Sequence, residues 1–200
     1  MPAQEIYLIR HGETQWSLSG RHTGVSDIPL TENGRQVARQ WQPLAAAKTF
    51  ELVLTSPLMR ARETCELAGL GKCAEIDSDL REWNYGAYEG LTPQQIRAEQ
   101  PTWMIFADGC PGGDTAEQVG TRADRVIARV RDAKADAALF AHGHVLRVLA
   151  ARWLRLPAAG GSHFLLETAT LCVLSSYHGV PAIKRWNAPL IPPEPKSTRS

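Results

Sequence analysis

The sequence contains no apolar run long enough to cross a membrane, and no leader-like segment precedes its first apolar stretch. A membrane span needs about 20 consecutive apolar residues, and a signal peptide carries a basic start followed by an apolar core. The first five residues, Met1 to Glu5, have no basic residue, and the apolar run behind them is short. We therefore expect a cytoplasmic protein that does not bind membranes.

The sequence also lacks an excess of charge of either sign. Its 22 Lys and Arg residues against 21 Asp and Glu residues give a formal net charge of +1. Proteins that bind nucleic acids or anionic lipid surfaces carry a strongly basic surface, so we expect neither partner. Any preference for an anion must come from a local cluster of cations.

Cysteine is scarce and does not form a recognisable motif. The four cysteines lie far apart, without a C-x-x-C pair, at positions 65, 73, 110 and 172. A chain of 200 residues builds a sizeable core without disulfides. We expect reduced and mostly buried thiols with no redox or metal role.

Internal repeats and low-complexity tracts are absent as well. A composition of 44% hydrophobic and 22% charged residues is that of an ordinary globular domain. We expect residues 1–188 to form one domain. The Pro-rich, polar residues 189–200 are expected to be a disordered tail.

Short apolar runs alternate with segments of helical periodicity. The runs predict strands at residues 6–9, 52–54, 74–76, 137–141, 170–177 and 182–186, the last two forming a hairpin at His178-Gly179. Helices are predicted at 32–47 with Thr31 as N-cap, from Leu58, over 92–100, from Asp114 or Thr115, and directly after His142. This order predicts a three-layer α/β/α fold with a mostly parallel central sheet flanked by helices.

Cations and imidazoles follow three of these strands. Arg10 and His11 end the first strand, Arg60 lies early in the helix after the second, and His142 follows the fourth. Taken alone, each of these residues is explained by an exposed position on the surface at least as well as by an anion-binding site. In a parallel sheet, however, the carboxyl ends of the strands share one edge, where ligands bind. We also expect Ser56 to cap the helix that carries Arg60.

Three other stretches surround this predicted site. Residues 80–90 place Glu82 and Glu89 among aromatics and turn glycines, a setting in which either carboxyl group could keep a proton and act as a general acid. Residues 15–29 are expected to be a loop that a ligand orders. Residues 101–114, with Trp103 and Phe106, are expected to form a rim over the site.

Five motifs in order resemble the histidine phosphatase superfamily, which is phosphoglycerate-mutase-like. They are L-I-R-H-G-E-T at 8–14, D-I-P-L-T at 27–31, S-P-L-M-R-A at 56–61, L-R-E-W-N-Y-G at 80–86 and F-A-H-G-H at 140–144. The resemblance implies a nucleophilic His11 that becomes phosphohistidine, with Glu82 as proton donor. It also implies that the transferred phosphoryl group is held by Arg10, Arg60 and His142, and that Thr23-Gly24 belongs to a substrate loop.

Two positions depart from the family pattern. Ser17 stands where the family usually has Asn, and a hydroxyl offers fewer donors for the predicted phosphate contact. His144 stands where mutases commonly have Asn. Gly143 starts the helix after His142, so its backbone amide is a further candidate for binding phosphate.

The function implied is a metal-independent phosphomonoesterase without a cofactor, acting on a small phosphorylated metabolite such as a sugar phosphate or bisphosphate. The motifs look most like the branch containing sedoheptulose-1,7-bisphosphatases. A mutase is the alternative within the family, but residues 83–113 leave little room for the family's insertion and show no second cationic clamp. A metallohydrolase using His142-x-His144 and a non-catalytic phosphosugar-binding protein stay open as functions of another class. The sequence also leaves a homodimer open.

Overall fold

The computed structural model describes residues 3–168 and 170–188. The predicted strands are all present: β1 Ile6–Arg10, β2 Leu52–Thr55, β3 Ala74–Ile76, β4 Ala137–Ala141, β5 Leu171–Tyr177 and β6 Val180–Ala188. The helices are α1 Gln15–Leu18, α2 Glu32–Arg39, α3 Gln42–Ala47, α4 Met59–Leu67, α5 Pro93–Glu99, α6 Ile105–Asp108, α7 Ala116–Ala133 and α8 Gly143–Trp153. The predicted tail, residues 189–200, lies outside the described residues.

The strands form one six-stranded sheet in the order β3-β2-β4-β1-β5-β6. The strands β3, β2, β4 and β1 run parallel to one another. β5 is antiparallel to β1 and pairs with β6 as the predicted hairpin. This confirms the mostly parallel α/β prediction. None of the helices within the described residues is long and apolar enough to span a bilayer.

Both faces of the sheet are covered, because alternate residues of each strand point to opposite sides. Ile6 and Leu8 of β1 belong to the larger core cluster, together with apolar residues of α7 and α8. Tyr7 and Ile9 pack on the other face with Trp41. Burial on both faces explains why this strand reads as a continuous apolar run in the sequence.

The helix predicted over residues 32–47 is wrong in one respect, because the chain forms two helices there. α2 ends at Arg39, and α3 begins at Gln42 with a proline in its first two positions. Pro43 has no N–H and its ring clashes with the carbonyl four residues earlier, so one continuous helix cannot pass through it. The N-cap prediction for Thr31 is confirmed, since its side chain accepts from the Gly34 N–H.

The loop predicted for residues 15–29 likewise contains a short helix. Thr14 caps α1, and a capping box with Ser17 closes its first turn. The long helix α7 starts after Thr115, which resolves the choice between Asp114 and Thr115. These caps fix where the chain turns above the carboxyl ends of the strands.

Backbone hydrogen bonds continue past the strand ends and bring the predicted site together. The His11 N–H donates to the Ala141 carbonyl over 2.9 Å, and the Ser56 N–H donates to the Phe140 carbonyl over 2.9 Å. The residues that follow β1, β2 and β4 are therefore held side by side at one sheet edge.

Candidate active site

A cavity of about 410 Å³ opens at the carboxyl ends of the strands. Six of the nine residues predicted for the site line it: Arg10, His11, Ser17, Thr23, Glu82 and Gly143. The other three, Gly24, Arg60 and His142, are not on the cavity wall. Each of these three residues contacts a segment or a side chain close to the cavity wall, as described below.

His11 is held in one tautomer by its own neighbour in the chain. Its Nδ1 lies 2.7 Å from the Gly12 carbonyl oxygen, which can only accept, so Nδ1 carries the proton. The lone pair is then on Nε2, the nitrogen available to a reacting atom. Burial, with Arg60 and Arg10 adding to it, lowers the pKa of His11 well below its ordinary value, so the ring is neutral near pH 7. A neutral imidazole with a free lone pair is a competent nucleophile.

His142 lies beside His11 and has a partner on each nitrogen. The two ring centroids are 5.2 Å apart. The Arg60 Nε–H donates to Nδ1 over 3.1 Å, and Nε2 lies 2.7 Å from the Ser56 hydroxyl oxygen. Because Nδ1 accepts, the proton is on Nε2 and points toward Ser56. The predicted capping role of Ser56 is wrong, since Leu58 is the N-cap of α4 and Ser56 instead contacts His142.

Arg60 is fully buried and binds the loop at residues 23–26, which follows α1. Its terminal nitrogens donate to the carbonyls of Thr23, Gly24 and Ser26 over 2.8 to 3.1 Å. With the bond to His142, four of its five N–H groups face an acceptor. Arg60 therefore fixes both His142 and the segment at residues 23–26, and its charge acts on His11.

Arg10 faces the cavity more directly. One terminal nitrogen donates to the Leu166 carbonyl, while its Nε is buried and has no partner among the described residues. A buried donor without a partner costs free energy unless a ligand supplies an acceptor. The Arg10 guanidinium also passes over Gly143, where an added Cβ would lie 3.4 Å from its Cζ.

Glu82 is tied to the start of α8. Its carboxylate accepts from the backbone N–H groups of Trp83, His144 and Val145 over 2.9 to 3.1 Å. It is 7% exposed and lines the cavity. The first turn of a helix leaves its N–H groups without intrahelical partners. Glu82 accepts from two of these N–H groups, those of His144 and Val145. Gly143, the first residue of α8, lines the cavity.

Glu89, the other candidate acid, lies elsewhere. Its Oε1 accepts from the Gly24 and Ser26 N–H groups over 2.9 and 3.1 Å, and it is not on the cavity wall. A Cβ on Gly24 would lie 2.5 Å from the Trp83 carbonyl oxygen, so no larger residue fits there. Glu89 and Gly24 thus shape the loop, and the geometry favours Glu82 as the acid.

Ser17 reaches the cavity with its hydroxyl already engaged. The hydroxyl donates to the Thr14 carbonyl and accepts from the Thr14 N–H, both over 2.9 Å. Its one proton is therefore used within α1. Thr23 also lines the cavity, and its hydroxyl donates to the Arg21 carbonyl over 3.2 Å.

Several cavity residues were not among the nine predicted for the site, although the loop at residues 15–29 and the His142-x-His144 pair included Arg21, His22 and His144. They are Arg21, His22, Tyr85, Arg97, His144 and Arg147. Arg147 follows Gly143 by four positions, so the two share a helix face, and this spacing was the one signal that could have found it. The rim prediction is confirmed for Trp103 and Phe106, which line the cavity and are 4% and 7% exposed.

His144 and His22 form a neutral, aromatic wall. The Tyr85 hydroxyl lies 2.7 Å from His144 Nδ1, and the Tyr85 ring stacks on His22 with centroids 4.5 Å apart. Burial lowers the pKa of His144 well below its ordinary value and that of His22 to about 4. These rings therefore offer hydrogen bonds to a ligand without adding charge.

The buried histidines predict a loss of stability in mild acid. The folded state holds His22 with a pKa of about 4 against an unfolded value of 6.5. Below pH 6.5 the unfolded state takes up the proton first, so the free energy of unfolding falls by about 1.4 kcal/mol per pH unit for each such histidine. Urea unfolding at pH 7.5 and 5.0 should show this fall. His22→Asn should reduce it, whereas His178→Asn, at the exposed hairpin, should not; equal slopes in both variants would contradict the prediction.

The described residues contain no group of three or more His, Cys, Asp or Glu side chains placed to hold a metal ion. The four cysteines are free thiols, and three are buried, with Cys73 exposed. This agrees with the expectation of reduced and mostly buried cysteines.

Comparison with known proteins defines the class. The model of the histidine phosphatase superfamily (branch 1) matches residues 6–189. The chain therefore belongs to the histidine phosphatase superfamily. A protein from an open reading frame of Mycobacterium tuberculosis has a solved structure that superposes with a TM-score of 0.88 at 38% identity, covering 94% of this chain and 99% of that one.

Named relatives place the chain among the phosphatases of that superfamily. It is 40% identical to an acid phosphatase of M. tuberculosis over 88% of each chain. It is 37% identical to sedoheptulose 1,7-bisphosphatase of Saccharomyces cerevisiae, covering 74% of this chain and 67% of the relative. A probable phosphoglycerate mutase of Escherichia coli is 33% identical over 77% of this chain and 76% of the relative.

Proposed function

We propose that this enzyme is a metal-independent phosphomonoesterase that acts on a small phosphorylated metabolite through a phosphohistidine at His11. The observation that carries the proposal is the state of His11, which is neutral, fixed at Nδ1 by the Gly12 carbonyl, and placed on the cavity wall. The bisphosphatase relative supports a sugar phosphate or bisphosphate as the substrate.

In the first step His11 Nε2 attacks phosphorus in line with the leaving oxygen. The N–P bond forms as the P–O bond to the metabolite breaks, and the negative charge is spread over the three equatorial oxygens. Arg10 and Gly143 line the cavity, where the guanidinium and the backbone amide can donate to these oxygens. Arg60 adds its charge from outside the cavity wall, and it also donates to His142, whose ring centroid lies 5.2 Å from that of His11.

Glu82 manages the protons in both steps. A protonated Glu82 gives its proton to the leaving alkoxide, and the resulting carboxylate takes a proton from the water that attacks the phosphohistidine. The N–P bond then breaks, inorganic phosphate leaves, and Glu82 is protonated again. The three backbone N–H groups around the carboxyl group hold it in place through this cycle.

Phosphate release is expected to be insensitive to chelators. His142, part of the alternative metal motif, has Nδ1 occupied by Arg60 and Nε2 by Ser56, and a guanidinium beside Nδ1 opposes a metal ion there. Turnover of p-nitrophenyl phosphate should be equal before and after dialysis against EDTA. A loss that zinc restores would favour the metallohydrolase instead.

A mutase is the second candidate, favoured by the E. coli relative and by the additional arginines in the cavity. The two activities differ in what accumulates. With 3-phosphoglycerate as substrate, a phosphatase releases inorganic phosphate, whereas a mutase yields the isomeric monophosphate. With a panel of sugar phosphates and bisphosphates, we expect release of inorganic phosphate to be faster than transfer of the phosphoryl group to give an isomer.

A further inference from the structure

Arg122, on α7, binds the backbone of the segment that carries Glu82. One terminal nitrogen donates to the carbonyls of Asp79 and Arg81 over 2.9 and 2.8 Å, and the other donates to the Glu82 carbonyl over 3.4 Å. The side chain is only 13% exposed, and it lies outside the set of residues that line the cavity. Three carbonyls from four consecutive residues therefore share one guanidinium that does not reach the substrate.

Asp114 binds the same segment just after Glu82. Its carboxylate accepts from the second terminal nitrogen of Arg122 and from the Asn84 N–H, both over 3.0 Å. Its backbone N–H donates to the Asn84 carbonyl over 2.8 Å, and its carbonyl accepts from the Trp83 indole N–H over 2.9 Å. Arg122 and Asp114, which also form an ion pair, thus hold the chain on both sides of Glu82 in the sequence.

The segment depends on these side-chain contacts for its position. Residues 81–85, all within the described part of the chain, belong to no helix or strand, so no regular ladder of backbone hydrogen bonds fixes them. The Glu82 carboxylate is bound by N–H groups at the start of α8, whereas the Glu82 carbonyl is bound by Arg122 from α7. A proton donor must lie within hydrogen-bond reach of the leaving oxygen, so a small shift of this backbone matters.

The next two arginines along α7 show that Arg122 is more than a surface contact between the helix and this segment. Arg125 pairs with the Asp79 carboxylate over 2.6 Å, and Arg129 pairs with the Asp77 carboxylate over 2.7 Å. Their side chains are 56% and 42% exposed, and such exposed ion pairs contribute little to stability. Of the three, Arg122 is the least exposed, and it binds main-chain carbonyls next to the proposed acid.

We propose that Arg122, together with Asp114, is a positioning residue for Glu82 that holds its carboxyl group within reach of the leaving oxygen. This inference rests on the proposed function, in which Glu82 donates the proton. Loss of the guanidinium would leave three carbonyls without their donor and allow residues 79–82 to shift. His11 and Arg10 follow a different strand, so attack on phosphorus and binding of its oxygens would be retained.

The dependence of kcat/KM on the leaving group tests this inference, because kcat/KM reports the first step and not the later hydrolysis of the phosphohistidine. Arg122→Gln should lower kcat/KM by about 10- to 100-fold for an alkyl phosphate, fructose 1,6-bisphosphate or whichever sugar phosphate of the panel reacts fastest. For p-nitrophenyl phosphate, whose leaving group needs little protonation, the loss should be no more than about threefold. Arg122→Lys keeps the ion pair with Asp114 and should recover part of the loss.

A double-mutant cycle with Glu82→Gln separates positioning from a general effect on the fold. In the Glu82→Gln background, Arg122→Gln should lower kcat/KM for the alkyl phosphate by no more than about threefold, because the proton transfer that Arg122 serves is already lost. Arg125→Gln is the matched control, since Arg125 lies on the same helix and binds only the Asp79 side chain in the described part of the chain. It should leave both substrates at the wild-type rate.

Equal losses on the two substrates, or a full loss from Arg122→Gln in the Glu82→Gln background, would overturn the positioning role. Arg122→Lys, which perturbs the fold less, should show the same preference for the alkyl phosphate at smaller size, and a uniform loss in this variant would overturn the role as well. A His11→Ala variant that retains turnover, or a Glu82→Gln variant that is indifferent to the leaving group, would instead refute the proposed function. The two failures are therefore distinguishable.

Discussion

Replacing His11 with alanine is expected to lower kcat by at least about 10⁴-fold on every substrate, because it removes the atom that forms the proposed covalent intermediate. The wild-type enzyme, mixed rapidly with substrate and quenched in alkali, should carry phosphate on His11 that is lost on acid treatment. The His11→Ala protein should carry none. A labelled phosphoenzyme in the alanine variant would show that another residue is the nucleophile.

The control for this experiment must separate lost chemistry from lost folding. His11 is 5% exposed, and the hydrogen bond of its Nδ1 goes to the carbonyl of the adjacent Gly12, so the side chain makes no hydrogen bond between distant segments. The alanine variant should therefore keep its far-UV circular dichroism spectrum and a cooperative urea transition. His178→Asn, at the hairpin between β5 and β6, is the matched substitution of a histidine outside the cavity and should retain wild-type turnover.

Replacing Glu82 with glutamine is expected to have an effect that depends on the leaving group. An alkyl phosphate needs a proton on its departing oxygen, so its hydrolysis should slow by about 10²- to 10⁴-fold. p-Nitrophenolate leaves with little protonic assistance, and its release should slow far less. Pre-steady-state release of p-nitrophenol and of the dephosphorylated sugar, measured in the same variant, gives the comparison.

Glu89→Gln provides the matched control because Glu89 is the second carboxylate of the same segment. Its carboxylate holds the Gly24 and Ser26 N–H groups and does not line the cavity. A change there acts through the loop and should slow both substrates by the same factor. If Glu82→Gln also slowed both substrates by the same factor, the proton-donor role would be refuted. Glu82 would then act only by holding the three backbone N–H groups that it contacts.

The sequence by itself determined the six strands and the starts of most of the longer helices. Apolar runs located all six strands, Thr31 and Thr92 marked helix starts, and Asp114 or Thr115 marked a third, because caps and periodicity depend on residues a few positions apart. It also placed Arg10, His11 and His142 directly after strands, and with motifs in order it identified the family. The helix prediction was wrong at Pro43 because the apolar periodicity continues through a residue that cannot continue a helix.

Only the tertiary structure decided which polar groups meet. Ser56 and His142 are 86 positions apart, and Glu82 reaches the start of α8 across more than 60. Such contacts depend on strand order and on how loops cross the sheet edge, which no short-range pattern encodes. For the same reason Arg60 contacts His142, and Arg147 has no carboxylate at ion-pair distance in the described part of the chain. The residue types limit which chemistry is possible, but the packing of distant segments determines where each charged group lies.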